Sequence, residues 1–226
     1  MQGSHLHMNE VLKSRRNWLA IGLGLLVLSA LGYFLPFGSN LHANVPPLIS
    51  EVAIVPPQKV NMLHLTDHQQ HSVTPERLTD HWTFVFFGYS NCPDVCPATL
   101  TQLVQMNNKI QHTPTLNGKI QFYFVSVDPQ RDTIEHLADY IAYFDKSFTA
   151  MTGDESAIRD FENELGAFHR IGKQDKSGFY AVAHSAEIFL INPAGQLTAK
   201  FIPPLDLDLV IKQLGMLVEQ YPTKAG

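Results

Sequence analysis

The sequence predicts an α/β domain, a central mixed sheet with flanking helices, preceded by one N-terminal transmembrane helix. Three observations carry this. An uncharged apolar run fills residues 18–37. Two dense apolar strand patterns, Thr83–Gly88 and Ile120–Val127, alternate with amphipathic helical ones. Near the end, Asn192-Pro-Ala-Gly195 separates two further apolar segments as a hairpin turn would. The composition agrees: of 226 residues, 45% are hydrophobic and only 16% charged, enough to bury a core. Two cysteines exclude a disulfide-stapled miniprotein and any four-cysteine zinc or iron–sulfur site.

Trp18 to Phe37 reads WLAIGLGLLVLSALGYFLPF, twenty residues without a charge. At a helical rise of about 1.5 Å per residue, it spans about 30 Å of bilayer core. Trp18 and Tyr33 stand near its ends, where amphipathic rings favour the interface. Lys13, Arg15 and Arg16 precede the run, and no charged residue follows until Glu51. The positive-inside rule then places residues 1–17 in the cytoplasm and the chain beyond residue 37 outside it, on the periplasmic side in a bacterium. A cleaved signal peptide is the competing reading, but its apolar core has only about 7–15 residues, and no A-x-A site closes this run. No cysteine follows directly, which excludes a lipoprotein anchor. Residues 38–60 read as an extended linker, because Pro46, Pro47, Pro56 and Pro57 prevent a regular helix. The domain is expected over 61–221, with 222–226 as a tail. The first 37 residues carry +2 of a net −5, so the remainder holds about −7, which argues against a nucleic-acid partner.

Within the domain, Met62–Thr66 and Ser72–Val73 read as short strands around the polar turn 67–71. Thr83–Gly88 is a buried strand by its continuous apolar run. Asp94–Ile110 is helical, with Leu100, Leu103, Val104 and Met106 as its apolar residues. Ile120–Val127 is the second strong strand. Thr133–Phe144 and Asp154–Leu165 are helices, the latter opened by an Asp cap. Ala186–Ile191 and Leu197–Ile202 form the hairpin, and Leu207–Tyr221 the last helix. The order β-α-β-α-(β)-α-β-β-α with a terminal hairpin is a thioredoxin-like plan. Its first helix starts at the C-terminal end of a central strand, where α/β proteins place chemistry.

That junction holds Asn91-Cys92-Pro93-Asp94-Val95-Cys96-Pro97. Pro97 is tolerable only in a helix's first turn, so the helix begins near Asp94 and both sulfurs lie at its N-terminal end. Free N–H groups and the helix dipole favour thiolates there. Three readings compete: a structural disulfide, a redox pair like that of thioredoxin but with three intervening residues instead of two, and a metal site. Two thiolates suit soft Cu(I), and one imidazole would complete a three-coordinate S₂N set. The spacing alone does not choose between redox pair and metal site.

Of eleven histidines, His184 stands apart by position. It lies in Val182-Ala183-His184-Ser185, just before the hairpin strand that a thioredoxin-like fold sets beside the central one. A side chain there reaches the cysteine loop across 88 residues of sequence. His64, His68 and His71 offer a weak second metal patch but read more simply as exposed hairpin residues.

Phe87-Gly88-Tyr89-Ser90-Asn91-Cys92-Pro93-Asp94-Val95-Cys96-Pro97 resembles the signature of the Sco/SenC family of copper-binding, thioredoxin-fold proteins. The resemblance extends through Leu65-Thr66-Asp67, Val125-Ser126-Val127-Asp128-Pro129-Gln130-Arg131-Asp132-Thr133, Thr152-Gly153 and Val182-Ala183-His184-Ser185. It implies that Cys92, Cys96 and His184 bind one copper per chain, with the preference between Cu(I) and Cu(II) left open. It further implies a role in assembling the CuA centre of cytochrome c oxidase, with the CuA-bearing subunit II as partner. The alternative from another class is a thiol–disulfide oxidoreductase that reduces the acceptor's cysteines; it does not need His184 as a ligand. Asp128 matches a family position and is either a turn residue before Pro129 or an accessory in metal transfer. Many members carry an acidic residue where this chain has Ala183.

Overall fold

The computed structural model describes residues 46–221. The expected transmembrane helix 18–37, the tail 1–17, the linker's first part and the tail 222–226 lie outside the described residues. Among the described residues, no helix is long and apolar enough to cross a membrane.

Strand β4, Trp82–Gly88, is the centre of the fold, and all seven of its residues are buried. A strand covered on both faces needs an unbroken apolar sequence, which is what Trp-Thr-Phe-Val-Phe-Phe-Gly supplies. On one side it pairs in parallel with β5, Ile120–Ser126, from Trp82↔Ile120 to Gly88↔Ser126. On the other it pairs antiparallel with β9, Ile188–Asn192, with Phe86 opposite Ile188. Beyond β9 comes β10, Gln196–Phe201, then β1, Ala53–Lys59. Beyond β5 come β6, Thr149–Thr152, then β2, Leu65–Asp67, and β3, Ser72–Val73. The result is one eight-stranded mixed sheet.

Among the described residues, four α-helices complete the domain: α1, Val95–Gln111; α2, Ile134–Phe144; α3, Glu155–Leu165; and α4, Leu207–Gln220. Helix α1 buries Cys96, Thr99, Leu100, Leu103, Met106 and Ile110, the three-and-four spacing of one helical face. Thr133 caps α2 by accepting from the His136 N–H, and Asp206 caps α4 by accepting from that of Leu209. Gly166 ends α3 at φ 69°, a left-handed conformation that glycine adopts without a Cβ clash. Stacked phenylalanines tie the strands together, with Phe84–Phe122 at 5.3 Å and Phe122–Phe148 at 4.6 Å between ring centroids. The thioredoxin-like plan, with its mixed sheet and flanking helices, is as the sequence predicted.

Several features differ from the sequence reading. Asp154 stands at the cap position of α3, but its side chain makes no capping hydrogen bond, and β2 runs over Leu65–Asp67 instead of Met62–Thr66. Residues 46–60 are not a free linker. Ile49 and Val60 are buried, and β1 pairs antiparallel with β10. Pro56 and Pro57 are compatible with this because β1 is an edge strand whose register shifts between Ala53 and Gln58, so their missing N–H groups leave no ladder partner empty. In addition, a separate two-stranded sheet joins β7, His169–Ile171, to β8, Val182–His184. His169 lies opposite His184 in it.

The predicted terminal hairpin is present. Asn192 shapes its turn: its side-chain oxygen accepts from Ala194 N at 3.0 Å and Gln196 N at 3.1 Å, and Gly195 takes φ 69°.

Candidate metal centre

The centre is built where β4 gives way to α1. Cys92 lies in the connecting loop, with its N–H donating to Tyr89 O at 3.2 Å. Helix α1 opens at Val95 with Asp94 as its cap residue, so Cys96 and Pro97 both fall in the first turn. The Asp94 side chain accepts no capping hydrogen bond. Instead the Cys96 N–H donates to Cys92 Sγ at 3.5 Å, so the sulfur takes up one of the orphan donors of the helix end.

The cysteines therefore differ. Cys92 is half-buried, and burial works against its thiolate, but hydrogen bonds from the Cys96 and Asp94 N–H groups and from Tyr89 hold its pKa below the usual thiol value. Cys96 is fully buried, and that burial pushes its thiol far up. Both thiols are free.

His184, the last residue of β8, brings the third donor. Its Nδ1–H donates to Ser185 O at 2.8 Å, which fixes the tautomer and leaves the Nε2 lone pair 3.4 Å from Cys96 Sγ. Burial lowers the pKa of the ring despite the Ser185 carbonyl, keeping it the neutral imidazole that a metal requires. The hairpin is pinned beside it by Ser185 N to Phe168 O at 2.9 Å and Phe168 N to Ser185 Oγ at 3.0 Å. Phe86 and Tyr89 meet the imidazole edge-on, at 6.1 and 5.9 Å between centroids.

The ligand atoms of Cys92, Cys96 and His184 all lie within 4.8 Å of one another, and no other group of three such residues gathers among the described residues. Two sulfurs and one neutral imidazole form a soft, low-coordinate donor set suited to Cu(I). Cys96 closes the floor, while Cys92 and His184 retain some exposure and leave an open face. Gly88 makes the close approach feasible: a Cβ there would stand 3.0 Å from Cys96 Sγ and 2.7 Å from Phe124 Cε2.

Several residues are not where a ligand would be. His68 Nδ1 sits against the backbone of Ala150, and His71 faces Asp67 Oδ2 at 3.5 Å, so with His64 they gather no ligand set. Asp128 is fully buried and stands outside the three-donor group. It pairs with Arg131 and accepts from Tyr180 OH at 2.8 Å. The contact that orients the imidazole is the Ser185 carbonyl, and the exposed Ala183 methyl adds no polar contact to it.

Asp132 escaped the sequence reading. Its buried carboxylate accepts from Ser90 N at 2.9 Å, from Ser90 Oγ, and from Ser126 Oγ at 2.5 Å. His136 Nε2 lies 2.9 Å from the same Ser90 hydroxyl. This network ties the loop that bears Cys92 to the end of β5. The only sequence signal was its place in the Val125–Thr133 segment.

Comparison with known proteins decides the family. The SCO1/SenC family model matches residues 55–219. The chain belongs to the SCO1/SenC family. It is 32% identical over 135 residues to the human mitochondrial SCO2 homolog, covering 60% of this chain and 50% of that protein. It is 30% identical over 156 residues to an SCO2-like protein of Rickettsia prowazekii, covering 66% and 70%. The chain thus spans about half the length of the human relative. Among solved structures it resembles Arabidopsis thaliana ScoI with copper bound at TM-score 0.65 and 26% identity, covering 70% of this chain and 97% of that one. Yeast Sco1 with copper bound gives 0.68 and 25%, covering 75% and 92%. The apo Sco1 of Thermus thermophilus gives 0.65 and 30%, covering 73% and 94%.

Proposed function

We propose that this SCO1/SenC member is a membrane-anchored copper chaperone that carries one copper ion per chain on Cys92, Cys96 and His184. It passes the ion to the CuA site of subunit II of a cytochrome c oxidase. The observation that carries the reading is the three-donor group itself, two sulfurs and a lone-pair-bearing Nε2 within 4.8 Å. Copper-bound neighbours of the same fold and membership of the family support it. Copper is cargo here: three protein ligands leave room for an incoming acceptor thiolate, so the ion moves by ligand exchange without release. Anchoring through residues 18–37 would keep the domain on the membrane face where the acceptor stands, which raises its effective concentration.

The test combines metal binding with cell biology. Purified, reduced protein should bind one copper, and a strain lacking it should lose CuA occupancy most under copper scarcity and regain it with added copper. Normal CuA occupancy in that strain under copper limitation would refute the role. A reporter fused after Gly226 should be active only outside the cytoplasm; activity inside would refute the topology.

The asymmetry of the cysteines favours a second reading, reduction of the acceptor's disulfide. Cys92 thiolate would attack it and release one acceptor thiolate. Cys96 would then attack Cys92 Sγ, freeing the second acceptor thiol and leaving a Cys92–Cys96 disulfide. Under this reading, added thiol reductant without copper restores the deletion strain, and His184→Ala retains activity.

A further inference from the structure

The cysteines and His184 ride on different parts of the fold. Cys92 and Cys96 are fixed to β4 and α1 at the heart of the main sheet, whereas β8 bonds only to β7. Something other than a sheet ladder must hold the histidine strand against the cysteine loop. The contacts converge on Arg131, in the turn between β5 and α2. Its Nε pairs with the buried Asp128, and its Nη1 donates to Tyr180 O at 3.1 Å. Its guanidinium lies 3.8 Å from the ring centroid of Tyr180 and 5.4 Å from that of Tyr89. Tyr180 closes the loop by donating its hydroxyl to Asp128 Oδ1 at 2.8 Å. Tyr180 stands two residues before β8, and Tyr89 three residues before Cys92. One planar cation thus touches the segment before the histidine strand and the segment before the first cysteine.

We propose that Arg131 is a positioning residue for the copper site, and that with Asp128 and Tyr180 it forms a clasp setting the reach of His184 to the two sulfurs. The clasp gives the buried Asp128 a role without making it a ligand. It needs arginine in particular. Bonding a carboxylate and a carbonyl while stacking on a ring uses a flat fork of donors, and an ammonium has neither the fork nor the face. The copper part of this proposal rests on the ligand set given under Proposed function.

The test uses the full chain, reduced, with two conservative variants. Arg131→Lys keeps a cation beside Asp128 but loses the fork and the stack, and Tyr180→Phe keeps the ring but loses the hydroxyl donor. Amide hydrogen exchange without metal is the first readout: residues 182–185 should exchange about tenfold faster in both variants, the measure of one charge-assisted hydrogen bond, while β4 and β5 stay protected. Cu(I) affinity is the second: each variant should bind about tenfold more weakly, and Arg131→Lys combined with His184→Ala should bind no more weakly than His184→Ala alone. Unchanged exchange at 182–185 overturns the clasp. Losses of affinity that add in the double variant overturn its action through His184. If exchange rises but His184→Ala binds copper like the wild type, the clasp stands as a hold on the strand and the assigned ligand set is what fails.

Discussion

Replacing Gly88 with alanine probes a tight point of the copper site without replacing a ligand. The new methyl would stand 2.7 Å from Phe124 Cε2 and 3.0 Å from Cys96 Sγ, both closer than ordinary contact. Neither neighbour has an easy retreat. Phe124 is buried and packs on Phe86 and Tyr140, and Cys96 is fixed in the first turn of α1. Overpacking of this kind costs about 1–3 kcal/mol. In a domain of this size, each kcal/mol lowers Tm by about 2–4 °C. Thermal unfolding of the reduced, metal-free protein measures that loss, and a Cu(I) competition titration against a chromophoric chelator measures the displacement of Cys96. The second variant separates the two contacts. Phe124→Leu in the Gly88→Ala background removes the ring clash and should restore part of the stability, while copper affinity remains low because the methyl still crowds the sulfur. A Gly88→Ala protein with wild-type Tm and wild-type copper affinity would show that β4 and α1 separate freely, and the reasoning from close approach would be wrong.

Further outcomes are expected of the same protein. Cys92→Ser, Cys96→Ser and His184→Ala should each weaken copper binding by orders of magnitude in the competition titration, since each removes one of three donors, whereas His68→Ala and His71→Ala should leave it unchanged. Oxidation to a Cys92–Cys96 disulfide should abolish Cu(I) uptake, because the thiolate is the ligand; equal uptake by oxidised and reduced protein would remove the pair from the site. Burial works against the charge of Asp145, yet hydrogen bonds from the Ser147 N–H and hydroxyl and from Asn107 Nδ2 lower its pKa. Its contribution to stability should therefore be fully present above the unfolded value of about 3.9 and fade as pH falls through the lower folded value. Denaturant titrations of wild type and Asp145→Ala should accordingly converge toward the acid end.

The parts of the fold legible in the sequence are those with a long, one-sided pattern. β4 and β5 announce themselves by unbroken apolar runs, and α2 and α3 by their amphipathic spacing, with boundaries within a residue or two. β7 and β8 have three residues each, too few for any period, and exist because each supplies the other's hydrogen bonds. β1 was hidden by its prolines, which argue against a strand except at an edge that only the assembled sheet reveals. The site divides in the same way. The cysteine pair and His184 are marked by residue type and position, but Asp132 acts on Ser90 across 42 residues and Arg131 on Tyr180 across 49. Glu162 and His169, polar yet buried, meet at 2.7 Å only because the chain turns back between α3 and β7. Contacts of that kind belong to the fold, and no local pattern records them.

The proline-bearing strand has a consequence for how copies of the chain tolerate one another. An open sheet offers two rows of unpaired backbone groups on which another chain can crystallise as an added strand. Here one border is β1, where Pro56 and Pro57 interrupt the row of donors and the register breaks between Ala53 and Gln58. The other border is β3, only two residues long. Neither offers a flat template. Copies of the domain at high concentration should then collide many times without edge-to-edge growth, and the aromatic-rich centre stays sealed behind borders unfit for pairing.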